Sequence, residues 1–215
     1  MNYNISRETP NMWNMGNGSD ASIRVLHAVP DAPSVDVYAN EQLIARDLSY
    51  SEYSDYISVP GGNYEIDVYA SGTRSNPVLR NMLMVTPNSI HTIAAIGTLE
   101  TISLLAIPDK TVMMERGKSM VRFSHLSPNA PAVDITLPDG TVIFRNVSFK
   151  ELTPYIGVNP MNYTLQVRLA GTPTVVLTVP NVNLKQNMFQ TVYAIGLAGG
   201  EPGLNALLVT DQVNQ

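Results

Sequence analysis

Arg, His and Asp recur in the same order and spacing at two places in this 215-residue chain: Arg24, His27 and Asp36, then Arg122, His125 and Asp134. Each His stands just before a Pro-x-x-Pro turn, and each Asp lies on the extended segment that follows it. A His beside a carboxylate is the raw material of a general base with its orienter, or of part of a metal site. One His and one Asp are too few ligands for a closed zinc site, however. A structural role asks less of these residues. The imidazole can bond the backbone of a turn whose prolines cannot donate. The carboxylate can accept from turn amides or pair with the Arg. Buried polar groups are as a rule hydrogen-bonded, so the structural role is the preferred reading of all six residues. The third histidine, His91, stands where the second copy has Gln190, so it carries nothing that both copies require.

Other chemistry finds little footing. The chain has no cysteine, which removes disulfides, thiolate metal sites and cysteine nucleophiles. No Gly-x-Ser-x-Gly elbow is present. The glycines of Ala198–Gly203 lack the Lys-Ser/Thr of a phosphate-binding loop, and no Asp-rich calcium loop occurs. No catalytic residue, metal site or cofactor site is assigned, and no enzymatic activity is expected. Net charge is −5, and the 13 Lys and Arg are scattered, which argues against a nucleic-acid partner. No apolar run approaches the roughly 20 residues that span a bilayer, so membrane insertion is not expected. The tyrosines Tyr38, Tyr50, Tyr53, Tyr56, Tyr64 and Tyr69 gather in the first half. Packing in the core and on the sheet faces is their simpler role. Any that stay exposed would make the first half the better surface for a carbohydrate or peptide ligand.

These residues sit inside a duplication. IRVLHAVPDAPSVDV (23–37) aligns with VRFSHLSPNAPAVDI (121–135), with seven identities at a constant offset. Tyr56-Ile57 then matches Tyr155-Ile156, and Asn63-Tyr64 matches Asn162-Tyr163. HTIAAIG (91–97) matches QTVYAIG (190–196), and both copies close on an apolar strand ending in Asp, at Asp109 and Asp211. The unit is about 90 residues, the size of a small domain. The expected organisation is an N-terminal arm (1–20), a first unit (21–109), a linker (110–119) and a second unit (120–215). Four of the ten linker residues are charged. Its shortness predicts two units lying side by side or end to end.

Within each unit the apolar residues alternate with period two, as in Tyr64–Tyr69 and Tyr163–Leu169. Such segments read as half-buried antiparallel strands. Turn residues separate them, among them Pro60-Gly61-Gly62-Asn63 and Pro138-Asp139-Gly140. About seven short strands per unit predict an all-β chain of two tandem antiparallel β-sandwich domains, immunoglobulin-like or transthyretin-like. Asp47–Tyr56 has room for one short helical turn.

The repeated block, Arg-x-x-His-x-x-Pro-x-Ala-Pro-x-Val-Asp with a later Asn-Tyr strand and a closing Ala-Ile-Gly, resembles the bacterial domain of unknown function numbered 4397, in two tandem copies. The resemblance implies a β-sandwich of envelope or secreted proteins. It implies no enzyme, cofactor or catalytic residue. The first 20 residues carry no apolar signal region after Arg7, so export by the general secretory route is not expected. The expectation is a cell- or spore-surface protein that reaches its place by another route, with a cytoplasmic protein as the alternative. The arm holds the single Trp, Trp13, with Met12 and Met15 beside it, side chains suited to an interface anchor. These three are the candidate assembly contacts of a structural protein that associates with itself, by strand addition into fibres. An adhesive or ligand-binding module for carbohydrate or peptide is the alternative.

Overall fold

The computed structural model describes residues 20–109 and 112–212. Met12, Trp13 and Met15 lie outside the described residues. The first unit consists of β1 (Asp20–His27), β2 (Val35–Ala39), β3 (Gln42–Leu48), β4 (Ile57–Pro60), β5 (Gly62–Ala70), β6 (Leu79–Val85), β7 (Ile90–Ile96) and β8 (Ser103–Pro108). The second consists of β9 (Ser119–His125), β10 (Val133–Thr136), β11 (Val142–Val147), β12 (Ile156–Val158), β13 (Asn162–Leu169), β14 (Val175–Asn183), β15 (Phe189–Ile195) and β16 (Asn205–Asp211). Asp20 and Ser119 open their strands one residue ahead of the expected boundaries.

Each unit is sandwich-like, with two four-stranded sheets. In the first unit these run β4-β1-β7-β8 and β3-β2-β5-β6; in the second, β12-β9-β15-β16 and β11-β10-β13-β14. The second unit repeats the first strand for strand. Period-two alternation does what the sequence implies between the sheets of a unit. Ile23 and Val25 of β1 pack with Val35 and Val37 of β2, Ile66 and Val68 of β5, and Ile93 of β7. Val121 and Phe123 do the same with Val133, Ile135, Leu165, Val167 and Val192.

Three expectations need correction. The strands are not all antiparallel: β1 pairs with β7, and β9 with β15, in parallel. The chain between each pair runs through the opposite sheet, and this long path supplies the crossover that parallel neighbours require. Each unit has eight strands rather than about seven, because the short β4 and β12 add a fourth member beside β1 and β9. Asp47–Tyr56 forms no helical turn; Asp47, next to last in β3, has φ +50° and Ser51 has φ +67°. The backbone here is held by β1 instead, with Ser51 N donating to His27 O and His27 N to Glu52 O.

The larger departure concerns the faces of β1, β7, β9 and β15. Alternation suggests strands with one wet face, yet every residue of β9 and β15 is buried. The reason is a third core. Leu26, Ala28, Ala94, Ile96 and Ile107 of the first unit pack with Leu126, Tyr193, Ile195 and Val209 of the second. The sheets carrying β1 and β9 therefore meet face to face, and the units lie side by side. Tyr193 is fully buried here, and the first unit has Ala94 at the matching position, one large and one small side chain on facing sheets.

Tight turns leave β7 and β15 through Gly97 (φ +100°) and Gly196 (φ +86°). A Cβ on Gly97 would stand 2.7 Å from Thr101 O, and one on Gly196 would collide with the Gly203 carbonyl. Gly97→Ala and Gly196→Ala should each lower stability by about 1–3 kcal/mol, the combined result of a left-handed φ and a backbone clash. Urea unfolding followed by circular dichroism measures this.

Candidate functional site

The polar side chains on the facing sheets form one buried network, and it crosses between the units. Arg24 rises from β1 on the side away from its own sandwich core. Its Nη2 donates to Asp211 Oδ1 at 2.5 Å and its Nη1 to Thr210 O at 2.9 Å, both in the second unit. Its Nε donates to Thr92 Oγ1 of β7 at 2.8 Å. Arg122 mirrors this. Its Nη2 donates to Asp109 Oδ1, its Nη1 to Pro108 O at 2.7 Å, and its Nε to Thr191 Oγ1 at 2.7 Å. Each unit thus supplies the carboxylate for the other unit's arginine, a reciprocal exchange of the kind a two-fold interface makes.

The carboxylates are held as fully as the guanidiniums. Asp109 Oδ2 accepts from Thr92 Oγ1 at 2.8 Å and from Tyr56 OH at 2.8 Å. Asp211 Oδ2 accepts from Thr191 Oγ1 at 2.5 Å and from Tyr155 OH at 2.7 Å. The tyrosine rings also cover the cations: Arg24 Cζ lies 4.6 Å from the Tyr56 centroid and Arg122 Cζ lies 4.4 Å from that of Tyr155. A third, longer ion pair within the second unit, Arg122 Nη2 to Asp211 Oδ2 at 3.8 Å, links the two crossed pairs to each other. Arg24 and Arg122 are each 2% exposed, and both carboxylates are sealed.

Burial sets the proton affinities, and the neighbours adjust them. Burial raises Asp109 above the ordinary carboxylate range, and Asp211 adds to this, while Arg24 and Arg122 pull it back. Burial works against the charged form of Arg24 too, but the surrounding Tyr and Asp side chains more than compensate and leave it raised. Tyr56 and Tyr155 are raised by burial, and Tyr193 is pushed up to about 12 for the same reason. Tyr56 and Tyr155 therefore stay as hydroxyl donors, the form that the carboxylates need.

The remaining repeated residues act locally, each within its own unit. His27 Nδ1 accepts from Val29 N at 3.2 Å, which leaves Nε2 to donate to Pro33 O at 3.0 Å. His125 Nε2 reaches Pro131 O at 3.2 Å. Asp36 accepts from Asp47 N at 2.7 Å and Gly72 N at 3.0 Å. Asp134 accepts from Asn146 N at 2.7 Å and Gly171 N at 2.9 Å. All four donors sit at positive φ, so each Asp clamps a bulge and a turn that the chain does not adopt freely. Burial alone would raise Asp134, but the two backbone donors outweigh it and hold it low. The His and Asp of a unit thus bond different turns rather than each other. Among the described residues, no three His, Asp or Glu side chains form a group able to hold a metal ion.

Of the two partners offered to the carboxylates by the sequence, Asp36 and Asp134 take the turn amides. Arg24 and Arg122 find carboxylates that sequence reasoning did not assign to them. The signal was present: Asp109 and Asp211, Tyr56 and Tyr155, and the Thr92 and Thr191 of the closing strands are all matched between the copies. The tyrosines of the first unit do not build one exposed platform. Tyr64 and Tyr69 are buried, Tyr56 serves the network, and Tyr53 is the one among the six that is clearly exposed, at 44%.

The family described as "Domain of unknown function (DUF4397)" matches residues 21–136, the first unit and the first two strands of the second. The chain belongs to this family. That span includes Arg24, Asp109 and Arg122, three of the four charges of the network. Comparison with curated protein sequences gives no match. Similar solved structures include the C-terminal domain of AlgF from P. aeruginosa (21% identity, TM-score 0.35, covering 45% of this chain and 100% of that one). Another is the family CBM26 module CBMbc of Eubacterium rectale Amy13K in complex with maltoheptaose (9% identity, TM-score 0.27, 90% of this chain and 97% of that one). A third is the Bacillus anthracis TIE protein (10% identity, TM-score 0.26, 87% of this chain and 34% of that one). Likeness at these scores assigns no function to the DUF4397 chain.

Two outcomes follow from the electrostatics. Asp211→Asn or Asp109→Asn strands a buried guanidinium, so each should cost about 3–5 kcal/mol. Arg24→Met with Asp211→Leu removes both charges and should cost clearly less than the sum of the single changes, a coupling that a double-mutant cycle measures across the unit boundary. The second outcome concerns pH. Burial lowers His27, His91 and His125 below 6.5. The unfolded chain then binds more protons than the folded one, so their contribution is full above about pH 6.5 and is lost as the pH falls. Asp109, being raised by burial, acts in the opposite sense. Melting temperature should decline from pH 7.5 to 5.5, and His91→Gln, which installs the residue of the second unit, should flatten part of that decline.

Proposed function

We propose that the chain is a non-catalytic structural building block of the bacterial cell or spore surface that associates with itself through its N-terminal arm. The observation that carries this reading is the buried network. The repeated Arg, Asp, Thr and Tyr side chains spend their hydrogen bonds on one another and join the two units into one block. A guanidinium that is sealed by its partners serves cohesion and has no face left for a substrate. The repeated His and Asp likewise go to turns. We read each unit as an immunoglobulin-like sandwich, supported by two four-stranded sheets about one core. The 19 residues ahead of β1 carry the single Trp of the chain, which the described residues lack, with Met12 and Met15 beside it.

Light scattering and negative-stain microscopy of the purified full chain test this. Ordered assemblies well above 23.4 kDa are expected. Removing residues 1–19 should abolish them while the melting transition of the two units persists. Unchanged assembly of the shortened chain would refute the role of the arm.

A further inference from the structure

Each unit has four edge strands, and most of them are guarded against pairing. β4 and β12 are short, at four and three residues. β3, β11 and β14 lie on ladders broken by register shifts, and β14 also carries Pro180. β8 and β16 place Leu105, Ile107, Leu207 and Val209 in or against the core shared by the units. Among the described residues, β6 lacks every one of these protections. It runs in unbroken register with β5 from Gly62↔Val85 to Val68↔Leu79. It contains no proline, and Arg80 is its one charge. On its outward face Met82 and Met84 are 64% and 75% exposed. The matching strand of the second unit has no such pair.

From this we infer that the open edge of β6 is the acceptor for the N-terminal arm of a second copy, which adds residues 11–15 as a fifth strand. The inference rests on the self-association reading above and supplies its docking surface. The arm carries the same pattern as the edge. Trp13 and Met15 are two residues apart, as are Met82 and Met84, so each pair keeps to one face, and the register that sets Trp13 and Met15 beside Met82 and Met84 puts both pairs on the same face of the sheet. Backbone bonds to the free edge would supply affinity, and the Trp/Met contact would set the register.

The donor is a second copy because the lead is short. Asp20 pairs with Pro60, and Val85 pairs with Gly62, so the arm departs near the end of β6. Its own β6 nevertheless belongs to the opposite sheet, about 10 Å across. It also packs over β8, two strands along from β1, which is about a further 10 Å sideways. A strand added outside β6 lies about another 5 Å on, so Met15 would stand about 18 Å from Asp20, the full reach of the five links through Gly16-Asn17-Gly18-Ser19. Fixing such glycine-rich chain is entropically costly. A neighbouring molecule imposes no such span.

Because the chain is free of cysteine, the contact can be trapped directly. Full-length Met15→Cys and Met84→Cys chains, carrying different tags, are mixed and oxidised. A disulfide between the two tags is expected, and none when Cys replaces Met161, exposed on the second unit. In parallel, Met82→Lys/Met84→Lys should raise the concentration needed for assembly at least tenfold. Its melting temperature should be unchanged, since both side chains point to solvent. A Met15→Cys/Met84→Cys chain that closes within itself overturns the exchange between copies. Assembly that is indifferent to the two lysines overturns the β6 edge but leaves self-association standing. A full chain that stays at 23.4 kDa at every concentration removes both.

Discussion

The crossed pairing of Arg24 with Asp211 and Arg122 with Asp109 is the interaction on which the rest of this molecule depends. Two guanidiniums and two carboxylates have been taken out of water. That loss is severe unless nearly every donor and acceptor finds a partner. Here each arginine bonds a carboxylate, a threonine and a main-chain carbonyl, and each carboxylate gathers an arginine, a threonine and a tyrosine. The threonine and tyrosine bonds stay within a unit, but the short arginine–aspartate bonds and the arginine bonds to main-chain carbonyls are made only across the boundary. Separation would strand four charges and also expose the apolar surface around Leu26, Ile96, Leu126 and Ile195. The units are therefore parts of a single cohesive body.

Duplication makes such a network economical to specify. One set of residues, used twice and brought face to face, satisfies itself reciprocally. The copies agree closely at the shared interface and in the backbone features that shape each unit. Asp47 and Asn146, Gly72 and Gly171, and Asn88 and Asn187 repeat the same positive φ. They differ where agreement is not required by the pairing. Tyr193 fills a space opposite Ala94, and Gln190 bonds the Lys185 amide where the first unit has His91. The exposed methionines of β6 have no counterpart. The symmetric half of the chain holds the block together, and the asymmetric half distinguishes one outer surface from the other.

Much of the fold was legible because its causes are local. Period-two alternation, turn residues and the internal repeat specify strands, their approximate ends and two similar units. The bond of His27 is short-range, six residues from its proline carbonyl, whereas Asp36 reaches the Gly72 amide 36 positions away, a partner that the sequence reading left open between turn amides and the Arg. The burial of β9 and β15 on both sides was not legible. Ser124 and Thr191 look like residues of a wet face until a second sheet covers them.

The sequence by itself determined the all-β class, the duplication and the absence of thiol chemistry. Only the tertiary structure decided which carboxylate each arginine meets. Arg24 and Asp211 are separated by 187 positions and by a unit boundary. No periodicity links such a pair, because their contact is set by how two sheets dock. Docking depends on the summed shape and apolar area of both faces, and no spacing within a strand encodes it.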